Sequence, residues 1–352
     1  MNNVITNLDT KNFETNWKLY LEAHAHSLIY TLDYIEYYNS YCKNIVHDFS
    51  FIITRDHKPV GICFLPVENV ENVKSISLNN GYIPAPLFKD KKTEKIIFEY
   101  IHNICKDNKI SQVKLSSDPN LEFNLPNKFN LFKQYNYLET NSLNATIDLL
   151  QNKEELWKNL SKSFKSLINK YTKNTKHTLH IMNQSNADIS IIKSFWKLHC
   201  DIAGEYAREF DLFNAQFKLI EKGYASLYFI KDNEEIISYS LFFHYNNFVT
   251  YVSSVSKDIE DKPPLSHFIL WNATVNFKDL GNTLIQYGQP SSYSLFSGID
   301  DMSSQKELLI ASFKRNMGAQ ITTLYRGIKY FDKQLLEQKL LNFLEMWDLD
   351  EK

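Results

Sequence analysis

Lys314 falls in the last turn of a stretch that reads as a helix from Gln305 to Asn316, with Phe313 before it, Arg315 after it and Gly318 just past the end. Ser304 and Glu307 have the spacing of a capping box, and Gly318 suits the left-handed turn that closes a helix. The next residues, Gln320 to Tyr325, alternate as a strand does, so one cation is fixed where helix meets sheet. Such a cation can complement the negative end of the helix dipole. It can also face negative charge that develops on a reacting group. Other chemistry finds little support. His24 and His26 are two residues apart, which is wrong for chelation from one helical face, and there is no His-Glu-x-x-His run. No metal site is expected. The chain also lacks the glycine loop of a nucleotide hydrolase and the dinucleotide fingerprint of a dehydrogenase.

The elements that must position Lys314 follow one order, used twice. Phe13 to Asn39 carries Trp17, Tyr20, Leu21, Leu28, Leu32, Ile35 and Tyr38 at helical spacing. Phe49 to Thr54 and Val60 to Leu65 flank a turn at Arg55 to Pro59, and Val73 to Leu78 reads as a third strand. A helix from about Lys92 to Lys106 and a strand at Gln112 to Leu115 follow. After Asn144 the order returns: a helix over Ile189 to about Phe210, strands over Ala225 to Ile230, Ile236 to Tyr245 and Phe248 to Ser256, a helix over Leu265 to Leu280 entered through Pro263-Pro264, and a strand over Thr283 to Tyr287. The pairs Trp17/Trp196, Asp56/Asp232 and Lys106/Lys278 are 179, 176 and 172 residues apart. That agreement indicates tandem copies of one α/β unit with mixed α+β sheets, divided as 1–147 and 148–352. Between them, Asn152 to Lys176 reads as one amphipathic helix, with Lys158, Lys162, Lys165, Lys173 and Lys176 opposite its apolar face. A lysine stripe is commonly a solvated face; here it is also a candidate contact for a phosphate-bearing ligand or RNA backbone.

With 352 residues, 43% hydrophobic and 14% aromatic, the chain can bury one or two cores. A formal charge of −2 gives no global field for DNA or an anionic membrane. Cys42, Cys63, Cys105 and Cys200 are far apart, which reads as reduced and cytoplasmic. No apolar run is long enough to span a membrane, and the N-terminus has no export signal.

Helix, antiparallel meander, second helix and further strand is the order of the N-acetyltransferase (GNAT) fold. Two such units in tandem resemble the FemAB-like group of that superfamily. The resemblance is carried by Asp148-Leu149 with Glu155-Leu156-Trp157-Lys158-Asn159-Leu160-Ser161-Lys162-Ser163, by Leu198-His199 with Ala203-Gly204-Glu205-Tyr206-Ala207-Arg208, by Lys262-Pro263-Pro264-Leu265-Ser266-His267 with Leu270-Trp271, and by Phe313-Lys314-Arg315 with Gly318. It implies two tandem GNAT-like domains, with the acyl-transfer site in 148–352 and a structural or acceptor-binding role for 1–147. It implies transfer of an acyl or aminoacyl group to an amine of a sugar, glycan or peptidoglycan-type precursor. By position the family's Phe-Lys pair is Phe313-Lys314. The donor would be a co-substrate, aminoacyl-tRNA or acyl-CoA, with no bound cofactor. The chain departs from the pattern at Met317, where an aromatic is commoner, and lacks a long paired-helix arm after the first copy.

Amine attack on an ester or thioester passes through a tetrahedral oxyanion and needs a donor for that oxygen and an acceptor for the amine proton. Lys314 fits the first role, helped by backbone N–H groups at a bulge expected around Val252 to Ser254. Glu205, His199 and His267 are the candidates for the second. The two histidines lie on otherwise apolar helices, where a satisfied core histidine is the commoner outcome, and Glu205 and Arg208 are spaced to pair with each other. The catalytic set is thus Lys314, Phe313, Glu205 and His267. The expected substrate-binding set is Arg208, His199, Tyr251, Ser253, Lys158, Lys162 and Lys165. The alternatives are an acetyl-CoA-dependent N-acetyltransferase of an amino sugar and a non-catalytic binding module. Ser256 to Pro264 has no glycine and two prolines, so it offers few N–H groups to a pyrophosphate.

Overall fold

The computed structural model describes residues 2–118, 120, 130–173, 176–204, 208–260, 263–288 and 305–348. They form two compact units, one within 1–142 and 323–352 and the other within 143–292 and 304–322.

The first unit contains strand β1 (Asn2–Thr6), helices α1 (Thr10–Ala23) and α2 (Leu32–Tyr41), and strands β2 (Ile45–Asp48), β3 (Phe51–Arg55), β4 (Lys58–Cys63), β5 (Pro66–Val70) and β6 (Val73–Ile76). Short strands β7 (Ile83–Pro84) and β8 (Leu87–Phe88), helix α3 (Lys91–Asp107) and strands β9 (Gln112–Ser116) and β10 (Leu138–Glu139) follow. The expected second strand of the meander is β4, and a further strand, β5, follows it because the chain leaves strand geometry at Phe64-Leu65 before Pro66 and passes from one sheet, β1-β3-β4-β8, into another. The turn between β3 and β4 has Asp56 and His57 at φ 49° and 63°, the left-handed pair that a two-residue hairpin needs. Trp17 (α1) is fully buried and donates Nε1–H to the Tyr30 carbonyl at 2.8 Å, fixing the first helix on the core.

The second unit opens with β11 (Ser142–Asp148), then α4 (Lys153–Asn159) and α5 (Lys162–Thr172), β12 (His177–Met182), α6 (Ile189–Ala203), α7 (Phe210–Glu221), β13 (Ala225–Asp232), β14 (Glu235–Tyr245) and β15 (Phe248–Ser256). Helix α8 (Leu265–Asp279), β16 (Leu284–Gly288), α9 (Gln305–Asn316) and β17 (Gln320–Leu324) complete it. Its sheet has the order β12-β13-β14-β15-β16-β11-β17. Phe195 (α6) packs on Tyr239, whereas Phe277 (α8) packs on Tyr228 and Phe242, so α6 and α8 cover opposite faces.

Two expected helices are divided. The stretch 152–176 breaks at Leu160, whose ψ of 145° is extended, and restarts where the Ser161 hydroxyl accepts from the Phe164 N–H. The lysines therefore do not share one continuous face. Ile189 to Phe210 likewise ends at Gly204, φ 56°, before α7 begins. The expected capping box at Ser304 and Glu307 lies outside the described residues and side chains.

In both units the meander ends in a strand that pairs in parallel with the strand after the next helix: β6 with β9 through Ser75–Gln112 and Ile76–Val113, and β15 with β16 through Phe248–Leu284 to Thr250–Gln286. The expected second domain, 148–352, does not keep its C-terminal end. Strand β18 (Arg326–Tyr330) pairs on one side with β9 and on the other with β10, and helix α10 (Lys333–Asp348) follows it, so 323–352 belongs to the first unit. Isoleucine 328, fully buried, anchors β18 in that sheet. No helix among the described residues is long and apolar enough to cross a membrane.

Ending the chain after Leu324 should therefore strip β9 and β10 of their shared partner. Hydrogen exchange is expected to show lost protection at Val113 and Leu115, with Val249 and Ile285 of the second unit still protected.

Candidate functional site

The site follows from how β15 and β16 part. Their parallel pairing ends at Thr250–Gln286 although β15 runs on to Ser256 and β16 to Gly288. On its other side β15 changes register against β14: Leu241 faces Ser253 and Phe242 faces Tyr251, which leaves Val252 as the extra residue of a bulge. The bulge lies where the sequence places it. It also inverts the strand's alternation, so Tyr251, Ser254 and Ser256 line one cleft while Ser253 does not. The expectation that Tyr251 and Ser253 act together is corrected by that extra residue.

The cleft measures about 690 Å³. One wall is strand β15 with Tyr251, Ser254 and Ser256, another the entry to α8 with Pro263 to His267, a third α9 with Leu309, Ile310 and Phe313, and Leu167 of α5 closes it. The strand wall presents hydroxyls. Tyr251 donates to Ser254 Oγ at 2.7 Å, and Ser256 Oγ lies 2.8 Å from Ser238 Oγ and 3.2 Å from Ser266 Oγ. Burial raises the pKa of the Tyr251 phenol, keeping it neutral.

Lys314 reaches the place where the parallel pair separates. Gly288, the last residue of β16, has φ 74°, and a Cβ there would stand 3.5 Å from Lys314 Nζ. The neighbouring Tyr287 ring lies 5.6 Å from that of Tyr251 in the cleft wall. Burial lowers the Lys314 pKa from its ordinary value. Arg315, one position along, is exposed. Gly318, φ 79°, closes α9 as expected and has a second constraint: a Cβ there would fall 2.8 Å from the Asn159 carbonyl carbon at the end of α4. Ser161 donates its N–H to the Asn316 carbonyl at 3.1 Å, so the start of α5 fixes the end of α9.

His267 joins this site. Its ring forms a three-ring cluster with Phe164, 4.2 Å away, and Phe313, 5.0 Å away, which are 5.2 Å from each other. It faces the cleft and also a small internal cavity lined by Leu156, Trp271 and Met317. Burial lowers its pKa, so the imidazole is neutral over more of the acid range. His199 and Arg208 are not brought here. His199 packs on Phe213 of α7, 5.4 Å between rings, on the sheet face that α6 covers, and Arg208 is exposed with its carbonyl accepting from Trp196 Nε1 at 3.1 Å. The apolar face of α6 accounts for both placements. Glu205 lies outside the described residues. Lys158, Lys162 and Lys165 do not line the cleft; Lys165 donates to the Lys158 carbonyl at 2.8 Å and so joins the end of α4 to α5.

Sequence reasoning missed Gly288, Ser254, Ser256 and Ser266. Gly288 follows a short apolar strand, a position where glycine signals a special backbone angle. The serines carry no signal apart from the register that the bulge sets.

No protein-family model matches the chain, and no curated protein matches it in sequence. Solved structures share its fold. FemX superposes with a TM-score of 0.63 at 15% identity, covering 96% of this chain and 99% of that one. L-PGS from Bacillus licheniformis gives 0.58 at 12%, covering 94% and 95%. A tandem GNAT protein from the clavulanic acid biosynthesis pathway gives 0.52 at 7%, covering 94% and 98%. The chain thus shares the tandem GNAT fold of these structures.

Gly288→Ala should expose how closely Lys314 depends on this strand end. Gly281 has φ 84° with nothing within 4 Å of a Cβ, so Gly281→Ala measures the backbone cost alone, on the order of 1–2 kcal/mol. Melting curves should show similar losses for the two variants, while the apparent pKa of Lys314, read by NMR, moves only in Gly288→Ala.

Proposed function

We propose that the second unit is an acyltransferase that moves an acyl or aminoacyl group from an activated ester or thioester to an amine of a sugar, glycan or peptidoglycan-type precursor. The observation that carries this reading is the Lys314 ammonium held over Gly288, where β15 and β16 part beside a bulge. The incoming amine nitrogen bonds to the acyl carbon and makes the carbonyl oxygen an oxyanion. Lys314 and the N–H groups around Val252 stabilise that oxygen, and in a water-poor site such donors act without reorganising. The neutral imidazole of His267 takes the amine proton. Collapse breaks the bond to the carrier, and the proton goes to the leaving thiol or hydroxyl. Phe313 meets the His267 ring edge-on and helps to hold its plane.

The donor is a co-substrate, aminoacyl-tRNA or acyl-CoA. The glycine-free stretch 256–264 counts against tight binding of CoA without excluding a thioester donor, because the described prolines 263 and 264 give no N–H to a pyrophosphate. The exposed Lys158 and Lys162 are available to a polyanionic donor. The FemX and L-PGS folds support an acyl-transfer role in the cell envelope, and the likeness to a putative lysylphosphatidylglycerol synthetase domain, TM-score 0.57 at 8% identity, supports it further. Four free cysteines, three of them buried, fit a cytoplasmic site of action. The first unit serves as scaffold or acceptor-binding domain. Where β15 and β16 leave a gap in the second unit, β7 of the first fills the corresponding place by pairing Ile83 and Pro84 with Leu115 and Ser116 of β9.

Lys314→Met should lower kcat on the order of a hundredfold, about 2.7 kcal/mol, and exposed Arg315→Met should change it little. Steady-state rates with melts on the same samples check this; equal small effects would leave the helix end a structural role only.

The pH profile provides a second check. His267 acts while neutral, so the rate should rise through a pKa below the ordinary histidine value. Lys314 acts while charged, so the rate should fall through a pKa below the ordinary lysine value. Lys314→Arg, charged at every accessible pH, should remove the alkaline limb.

A further inference from the structure

The cleft has a lining that amine acylation alone does not demand. On α9, Leu309 and Ile310 are 66% and 45% exposed, two large aliphatic side chains turned out of the core and into the cleft one turn before Phe313 and Lys314. Leu167 and Ile259 face the same space. The polar atoms on the opposite wall are serine hydroxyls bonded to one another and to Tyr251, which offer no charge. Lys257 and Asp258, the charged groups among the described lining residues, are exposed, and Lys257 pairs with Glu235. A volume of about 690 Å³ is far more than an acetyl or alanyl group fills and sits in the range of sites that enclose larger apolar ligands.

Resting on the acyl-transfer reading with a thioester as donor, we propose that the group transferred is a medium-length alkyl acyl chain, housed against Leu309, Ile310, Phe313, Leu167 and Ile259. The bulge and Lys314 address the carbonyl oxygen. The chain bonded to that carbonyl continues past Tyr251 and Phe313 along α9, and from Lys314 to Leu309 the helix rises ~7.5 Å. In the step itself the C–N bond forms to the acyl carbon, the C–S bond to the carrier breaks, and the amine proton leaves with the thiol. A lipid tail on the acceptor amine would offer the same chemistry to the cleft. The donor is favoured because Tyr251 and Phe313, the chain neighbours of the bulge and of Lys314, line the cleft.

The test uses the full chain with N-acetylcysteamine thioesters of acetate, hexanoate and octanoate, glucosamine as a model amine, and octylamine as a tailed amine. Calorimetry reads binding and free-thiol release reads turnover. Each buried methylene strengthens binding roughly three- to fourfold, so octanoyl is expected to bind at least tenfold more tightly than acetyl. Leu309→Glu and Ile310→Glu should abolish that preference without moving the melting temperature, since both side chains are already exposed. Equal binding of all chain lengths, or a preference that survives both substitutions, would overturn the proposal. Tight binding of octylamine without a chain-length effect among the thioesters would overturn it in favour of a tailed acceptor. Chain-dependent binding with no thiol release from any thioester would instead refute the acyl-transfer reading on which it rests.

Discussion

Everything at the candidate site depends on a parallel strand pair that stops pairing before its strands end. A parallel ladder that continued beyond Thr250 and Gln286 would bring β15 and β16 to ordinary sheet spacing and leave no room between them. The bulge at Val252 bends β15 away, and on the far side β16 makes its own irregularity against β11, between Ala145 and Thr146. Two bulges on either side of one gap make the separation a property of the backbone. Side chains then only need to be delivered to it. Helix α9 delivers Lys314 from one side, and α8 delivers His267 from the other.

The first unit shows what the same topology does when that gap is filled. After Ile76 and Val113 the chain loops out and returns as β7 beside β9. The loop is held by Glu68, a fully buried carboxylate that accepts from the Ser77 hydroxyl at 2.6 Å and from the Asn79 and Asn80 N–H groups at 2.6 and 2.9 Å. Both asparagines are left-handed, at φ 48° and 59°, which presents adjacent amides to one anion. Buried Lys114 then donates to the Asn80 carbonyl and side-chain oxygens at 3.0 and 3.1 Å. A buried charge is stable only when its hydrogen bonds are made, so this carboxylate and ammonium fix the loop in the filled form. The two units thus use one scaffold in different ways: one closes its gap with its own backbone and the other leaves a cleft.

What the sequence makes legible is local and periodic. The helix ending in Lys314, the turn at Gly318 and the strands around the bulge each have a pattern within a dozen residues, and the structure has them where that pattern puts them. What it hides is parity and partnership. Ser253 looks equivalent to Tyr251 by period two, and a single inserted residue sends it to the other face. Ser161 is a cap within a run whose apolar spacing continues through it, so the break between α4 and α5 is masked by the periodicity on either side. Arg326 to Tyr330 pairs with a strand more than two hundred residues earlier, and nothing in its composition names that partner. His199 and His267 each sit on an apolar helix, but only the helix that follows the bulged strand faces the cleft.

Desolvation acts on Lys314 and His267 in the same direction. Burial disfavours the charged form of any base, so it lowers the pKa of both Lys314 and His267. For His267 the effect is to hold the ring neutral and able to take a proton, with the Phe164 and Phe313 rings packed against it. For Lys314 the ammonium survives near neutral pH because an ordinary lysine starts roughly four pKa units above the histidine. Burial therefore leaves one neutral base and one cation, the pairing that the proposed amine acylation would use. An ammonium that has lost part of its water gains more from a developing oxyanion than a hydrated one does, because the interaction is screened less.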